Sequence, residues 1–211
     1  MFRSAMKELE KWKAKKRRKP LIIRGARQVG KTWLMKEFGA TAYVHTVYIN
    51  FDNNERMKTL FTGSFSVERI VTGLELYAGQ KIDADNTLLI FDEVQEVPQA
   101  LAALKYFNED APQYQIVCAG SLLGVALHPG TSFPVGKVEF LDLYPLSFFE
   151  FMIAMGKDQY VDLLQKGDFA GAKRVQYQVN DIITALCSGK GNMYAVIKGV
   201  LAARCGVECG G

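Results

Sequence analysis

Eight consecutive residues, Gly25-Ala26-Arg27-Gln28-Val29-Gly30-Lys31-Thr32, have the spacing GxxxxGK[ST], and each fixed position answers a need of phosphate chemistry. Glycines let successive backbone N–H groups turn inward around phosphate oxygens, and a helix that starts where the loop ends adds the positive end of its dipole. Lys31 supplies a mobile cation for the β- and γ-phosphates, and Thr32 a hydroxyl ligand for Mg²⁺. Together with the adjoining Trp33, the loop is expected to cradle a nucleoside triphosphate. Sixty positions beyond Thr32, Asp92 and Glu93 close the apolar run Thr87-Leu-Leu-Ile-Phe91. An acid at the carboxyl end of a buried strand faces the crevice where open parallel sheets bind ligands. Burying it is costly unless it is paired or near a metal. Asp92 is therefore read as the second holder of Mg²⁺, and Glu93 as the general base for an attacking water.

Three further candidates carry less. Ser121, in Val117-Cys-Ala-Gly-Ser-Leu-Leu123, has two readings that stay open: a polar group that senses the γ-phosphate or holds the water, and an ordinary helix cap. His128, between Leu127 and Pro129, reads as a loop residue, and with only His45 besides it no histidine zinc motif can be built. Cys205 and Cys209 are spaced by three residues rather than two, with Cys187 nearby, which is a poor metal-ligand pattern.

The elements that must position these groups follow from periodicity. From Pro20 onward short apolar runs alternate with amphipathic segments, as in βαβ units with a parallel sheet. Strands are expected over residues 21–24, 43–51, 87–91, 115–119 and 137–143, and helices over 31–38, 67–78 and from Pro98. In the last of these Ala100, Ala103, Leu104, Phe107 and Ala111 form one apolar stripe. Ser147 is expected to cap a helix containing Phe148, Phe151 and Met152. Beyond Gly156 only weak helical patterns continue, near 160–166 and 173–186. We therefore divide the chain into a basic helix or linker over 1–19, a phosphate-loop core over 20–156, and a partial helical lid or divergent tail over 157–211.

Composition narrows the class. Of 211 residues 49% are hydrophobic and 23% charged, an ordinary globular balance that excludes global disorder. The longest apolar stretch is too short to cross about 30 Å of hydrocarbon, and the basic N-terminus has no apolar run of the secretory kind behind it, so a cytoplasmic protein with no membrane role is expected. Four cysteines in a chain of this size read as reduced thiols. The net charge of +4 hides an asymmetry: residues 1–36 hold 13 Lys and Arg against two acids, a net of +11, and the remainder 13 against 20, a net of −7. Between Lys11 and Lys19 seven of nine residues are basic. That run could track a nucleic-acid backbone, or be the solvated face of a short amphipathic helix.

Residues 19–32 (KPLIIRGARQVGKT), 88–95 (LLIFDEVQ) and 133–151 (FPVGKVEFLDLYPLSFFEF) resemble the AAA-like ATPases of bacteria and archaea, in the group whose N-terminal ATPase module precedes a C-terminal domain of uncharacterised function. The resemblance extends over about residues 9–164, with three motifs in the right order. It implies an α/β fold of the P-loop NTPase, AAA+ type: a five-stranded parallel sheet of order 5-1-4-3-2 with helices on both faces and a partial helical appendage. It implies ATP as nucleotide, Lys31 and Thr32 in the Walker A motif, Asp92 and Glu93 in Walker B, and a sensor role for Ser121. Lys137 stands where family members often carry arginine. From about Lys173 the likeness is lost, so the chain reads as a truncated, frameshifted or divergent member.

These readings favour a Mg²⁺-dependent ATPase that couples nucleotide state to conformational change, with a homo-oligomer as one arrangement compatible with them. Two others stand beside it: a nucleotide-binding switch without significant hydrolysis, and a nucleic-acid-binding protein with a regulatory ATP site. A GTPase is disfavoured because no Asn-Lys-x-Asp string occurs. A two-lobed helicase is disfavoured because roughly 60 residues after Phe151 cannot build a second lobe.

Overall fold

The computed structural model describes residues 2–120, 134, 136–158, 161 and 162. In chain order the elements are α1 (Ala5–Lys13), β1 (Leu21–Arg24), α2 (Lys31–Ala42), β2 (His45–Asn50), α3 (Glu55–Phe61), α4 (Val67–Ala78), β3 (Thr87–Asp92), α5 (Pro98–Asp110), β4 (Gln115–Ala119), β5 (Glu139–Asp142) and α6 (Phe148–Ala154), with a 3₁₀ turn at Val94–Glu96. The five strands form one sheet of order β2-β3-β4-β1-β5, which is the expected order read from the other edge. All four pairings are parallel.

Alternation along each strand builds two cores. Ile22, Val47, Ile49, Leu89, Phe91, Ile116 and Cys118 join the core formed with α3, α4 and α5. Their neighbours Leu21, Ile23, Leu88, Ile90, Val117 and Ala119 join the opposite core with α1 and α2. Successive strand side chains point to opposite faces, so a strand apolar at every position must be covered on both. β3 is buried at all six of its positions, which fits its place between β2 and β4, although the middle strand of the five is β4. Leu9 and Trp12 of α1 belong to the second core, and the Trp12 indole N–H donates to the Lys19 carbonyl at 2.8 Å.

The helices follow local chemistry. Ser66 caps α4 by accepting from the Arg69 N–H, and Gly79 ends it in a left-handed turn. Pro98 opens α5, where its missing N–H is not needed. The stripe predicted for α5 is buried throughout. Ser147 and Glu150 close a reciprocal capping box at the start of α6.

The structure corrects several boundaries. The spacing predicts α2 only to Phe38, but the helix continues to Ala42, and Gly39 packs inward because a Cβ there would lie 2.5 Å from Thr46 Oγ1. The strand expected over 43–51 pairs only over His45–Asn50, alongside Thr87–Asp92. The strand expected over 137–143 is limited to Glu139–Asp142, since β1 offers only four residues to pair with. Helix α3 was not expected. Asn54 caps it by accepting from the Met57 N–H, and Met57 and Phe61, one turn apart, anchor it in the core.

The chain falls into two compact units, Ala5–Tyr144 and a second that joins Met1–Ser4 to Pro145–Gly211. In the second, Glu150 receives the Ser4 N–H and hydroxyl, both at 2.7 Å, with Arg3 Nε at 3.6 Å.

Candidate functional site

The loop between β1 and α2 turns through two left-handed residues, Gln28 at φ 65° and Gly30 at φ 90°. Gly25 is constrained from the other side: Leu143 N–H donates to the Arg24 carbonyl at 2.7 Å, and a Cβ on Gly25 would lie 2.3 Å from the Leu143 carbonyl oxygen. Only glycine lets the chain past that carbonyl. Buried Val29 pins the middle of the loop, while Ala26, Arg27 and Gln28 stay exposed. Gly30 stands at the N-terminus of α2 and provides no side-chain cap, where the first helical N–H groups have no partner within the helix.

Lys31 is folded over this loop. Its ammonium donates to the carbonyls of Gly25 at 2.9 Å and Ala26 at 2.8 Å. Loss of water lowers its pKa from the ordinary lysine value; Glu93 and Asp92 pull it back up, and Arg27 pushes it down. Trp33 is half-buried against the core beneath α2.

At the end of β3 Asp92 is 3% exposed, and its carboxylate accepts three hydrogen bonds. Oδ2 accepts from Thr32 Oγ1 at 2.6 Å and from the Tyr48 hydroxyl at 3.0 Å, while Oδ1 accepts the Glu93 N–H at 3.1 Å. Tyr48 had no place in the sequence reading beyond its β propensity. Burial foremost, then the charge of Asp92, the hydrogen bond to it and the charge of Glu93, push its phenol well above the ordinary tyrosine range. Glu93 adopts φ 50°, ψ 41°, a left-handed conformation that costs a non-glycine residue on the order of 1–2 kcal/mol. Gln95, in the following 3₁₀ turn, donates from Nε2 to Glu93 Oε2 at 2.6 Å. Lys31, Thr32, Asp92 and Glu93 thus converge on the carboxyl end of the sheet.

Other candidates fare differently. Ser121, His128, Cys187, Cys205 and Cys209 lie outside the described residues, as do the helical patterns near 160–166, apart from 161 and 162, and 173–186. Cys118 is buried in β4, where desolvation pushes its thiol far above the ordinary range. Among the described residues no cluster of His, Cys, Asp and Glu could hold a metal ion by itself. Lys137 pairs with Glu109 at 2.7 Å. Arg24 makes a two-pronged pair with Asp142, both arms at 2.8 Å, and lies over the Phe140 ring.

The basic segment is largely engaged within the protein. Lys13 donates to the Ala42 carbonyl, Lys15 pairs with Glu139, Arg18 donates to the Lys13 carbonyl, and Lys19 to the Gly136 carbonyl at 2.7 Å. Lys11 pairs with Glu8 at 2.7 Å. Lys16 and Arg17 are exposed. No described helix is long and apolar enough to cross a membrane.

A parallel sheet of this order, with a GxxxxGKT loop opening the helix after β1, defines a P-loop NTPase of the α/β class. Within that class the chain belongs to the AAA domain family, whose model matches residues 17–152. Among solved structures it is similar to the Walker-type ATPase PABY2304 of Pyrococcus abyssi, at 15% identity over 94% of this chain and 82% of that one, with a TM-score of 0.45. It is also similar to PCH-2 of C. elegans, at 15% identity over 70% and 40% of the two chains and a TM-score of 0.38. For the Pif1 helicase of Candida albicans the values are 13%, 78%, 43% and 0.40. A stretch of 49 residues, 23% of the chain, is 43% identical to N-acetylneuraminate lyase of Mediterraneibacter gnavus. The chain spans only 16% of that enzyme's length, too little of either protein to carry a function.

Proposed function

We propose that this chain binds ATP together with Mg²⁺ and hydrolyses it, coupling nucleotide state to a conformational change. The observation that carries the reading is the convergence of Thr32 and Asp92, 2.6 Å apart, beside a lysine folded over a glycine-edged loop. The donor set fits the ligands. The loop, from Gly25 through Ala26, Arg27, Gln28 and Val29 to Gly30, would wrap the phosphates, as the closeness of Gly25 to the Leu143 carbonyl leaves the turn no other side chain. Lys31 would exchange two carbonyl acceptors for phosphate oxygens, which accept charge-assisted hydrogen bonds more strongly. Trp33 flanks the loop. Hard oxygen donors, the Thr32 hydroxyl and Asp92 carboxylate, suit Mg²⁺, which when bound neutralises charge developing on the phosphoryl oxygens.

Glu93 would accept the proton of the attacking water. Its left-handed backbone and the hydrogen bond from Gln95 support a role for a carboxylate held in one orientation. Ser121 is proposed as a sensor of the terminal phosphate. We place the ATPase core at 20–156, with 1–19 as its basic entry and 157–211 as a partial lid, and the protein in the cytoplasm.

A switch that binds nucleotide with little turnover is the second reading, favoured by the engagement of Arg24 with Asp142 and of Arg69 with the Leu60 and Ser64 carbonyls. Self-association would be the route to an arginine from a neighbouring copy. The internal pairing of the basic segment argues against nucleic acid as the main ligand. Phosphate release from ATP with and without Mg²⁺, beside direct ATP binding, tests the proposal: binding with release supports hydrolysis, binding without release the switch, and no binding removes both.

A further inference from the structure

We infer that Tyr48 is a positioning residue for the Asp92 carboxylate, fixing which of its lone pairs faces the metal ion; this rests on the Mg-ATP reading above. Tyr48 lies on β2 opposite Ile90, between Val47 and Ile49. Those two point into the core beneath α5, so alternation sends Tyr48 to the other face, against α2. Its hydroxyl is aimed at Asp92 Oδ2, the same atom that Thr32 Oγ1 reaches.

A carboxylate offers about four lone-pair sites. Thr32 and Tyr48 occupy two on Oδ2, and the Glu93 N–H occupies one on Oδ1. One site on Oδ1 is left, in a direction set by the other three. The aspartate terminal torsion is broad and nearly two-fold, so a carboxylate held on Oδ2 by Thr32 alone would tilt. The phenol donor removes that freedom, and it acts from β2, whereas Thr32 is on α2 and Asp92 on β3. The Lys36 ammonium lies 4.0 Å from the centre of the ring, and a cation on that face draws electron density from the ring and strengthens the hydroxyl as a donor. A tyrosine that served packing alone would be replaced by phenylalanine without consequence for the metal.

The test is calorimetric titration of the full chain with ATP at a series of Mg²⁺ concentrations and in EDTA. Tyr48→Phe should raise the half-saturating Mg²⁺ concentration roughly 3- to 10-fold and leave ATP affinity in EDTA unchanged. In the Asp92→Asn background the same substitution should add nothing, because the two groups act as one unit. Lys36→Ala, which keeps the tyrosine, should move the half-saturation point in the same direction by about 2-fold, and it carries the test if the phenylalanine variant folds poorly. An unchanged or lower half-saturation point, an equal weakening in EDTA, or additive effects in the double variant would overturn the positioning role alone. Absence of Mg²⁺-dependent ATP binding in the parent would instead overturn the functional reading, and this role with it.

Discussion

The hydroxyl of Thr32 donates to Asp92 Oδ2 across 2.6 Å, although the two residues are 60 positions apart and Thr32 opens the helix that follows β1, a strand separated from β3 by β4. Thr32 is carried by the first turn of α2, and α2 crosses β4 and β3 on its way from β1 to β2. A crossover that passes two intervening strands lets the start of that helix meet the end of β3.

Lys31→Ala should abolish measurable Mg-ATP binding. On the proposed reading, the ammonium that donates to the Gly25 and Ala26 carbonyls would be the cation that meets the terminal phosphates. Trp33, half-buried beside the loop, offers a fluorescence signal alongside calorimetry. Binding as tight as that of the parent would refute the phosphate-loop assignment.

Glu93→Gln should retain ATP binding and lose roughly 10²- to 10⁴-fold in turnover, because the amide keeps the shape and the contact with Gln95 but cannot take a proton. Asp92→Asn should instead weaken the Mg²⁺ dependence of binding. Turnover that survives in the glutamine variant would remove the general-base role.

Gly25→Ala should destabilise the chain by about 1–3 kcal/mol and impair nucleotide binding, since the added methyl would press on the Leu143 carbonyl at 2.3 Å. Denaturant midpoints read the first effect and calorimetry the second. An alanine variant as stable as the parent would show that β5 is free to move away from the loop.

ATP hydrolysis by the isolated chain should be slow and should rise with protein concentration. An arginine finger is worth roughly 10³–10⁵ in rate where it has been tested. Arg24 and Arg69 are held by internal partners, and beyond Arg69 the sequence has only Arg174 and Arg204. Arg27 and Arg56 are exposed and could serve a neighbouring copy. Fast, concentration-independent specific activity would show a complete site within one chain.

Stability should fall in acid through Glu150. Burial works to raise its pKa, but the Ser147 and Ser4 donors and the charge of Arg3 outweigh that and hold it below the ordinary 4.5. A folded-state value below the unfolded one means the contribution is complete above about pH 4.5 and is lost as pH drops through the lower folded value. Denaturant midpoints from about pH 7 to about pH 3 should show a loss that Glu150→Gln flattens, at a cost of about 1–3 kcal/mol near neutrality. An unchanged acid profile in the variant would assign that loss to other carboxylates.

The phosphate loop was legible because its determinants are neighbours in the chain: glycines at turning points, a strand ending at Arg24 and a helix beginning at Lys31. Strand β3 was equally plain as a strand buried on both faces, since TLLIF is an almost continuous apolar run, but its place beside the middle strand β4 was not. The capping of α6 needed only Ser147 and Glu150, three residues apart. Helix α3 was not legible: ERMKTLF has two core anchors, Met57 and Phe61, too few for a periodic signal. The limits of β5 were set by its partner, because a strand ends where β1 has no further groups to bond. Sequence by itself determined the groups that local geometry holds, since backbone conformation depends on adjacent residues. Only the tertiary structure decided that Tyr48 and Thr32 share one oxygen of Asp92, because that meeting depends on strand order, on the pairing of Tyr48 with Ile90, and on the path of α2 across the sheet.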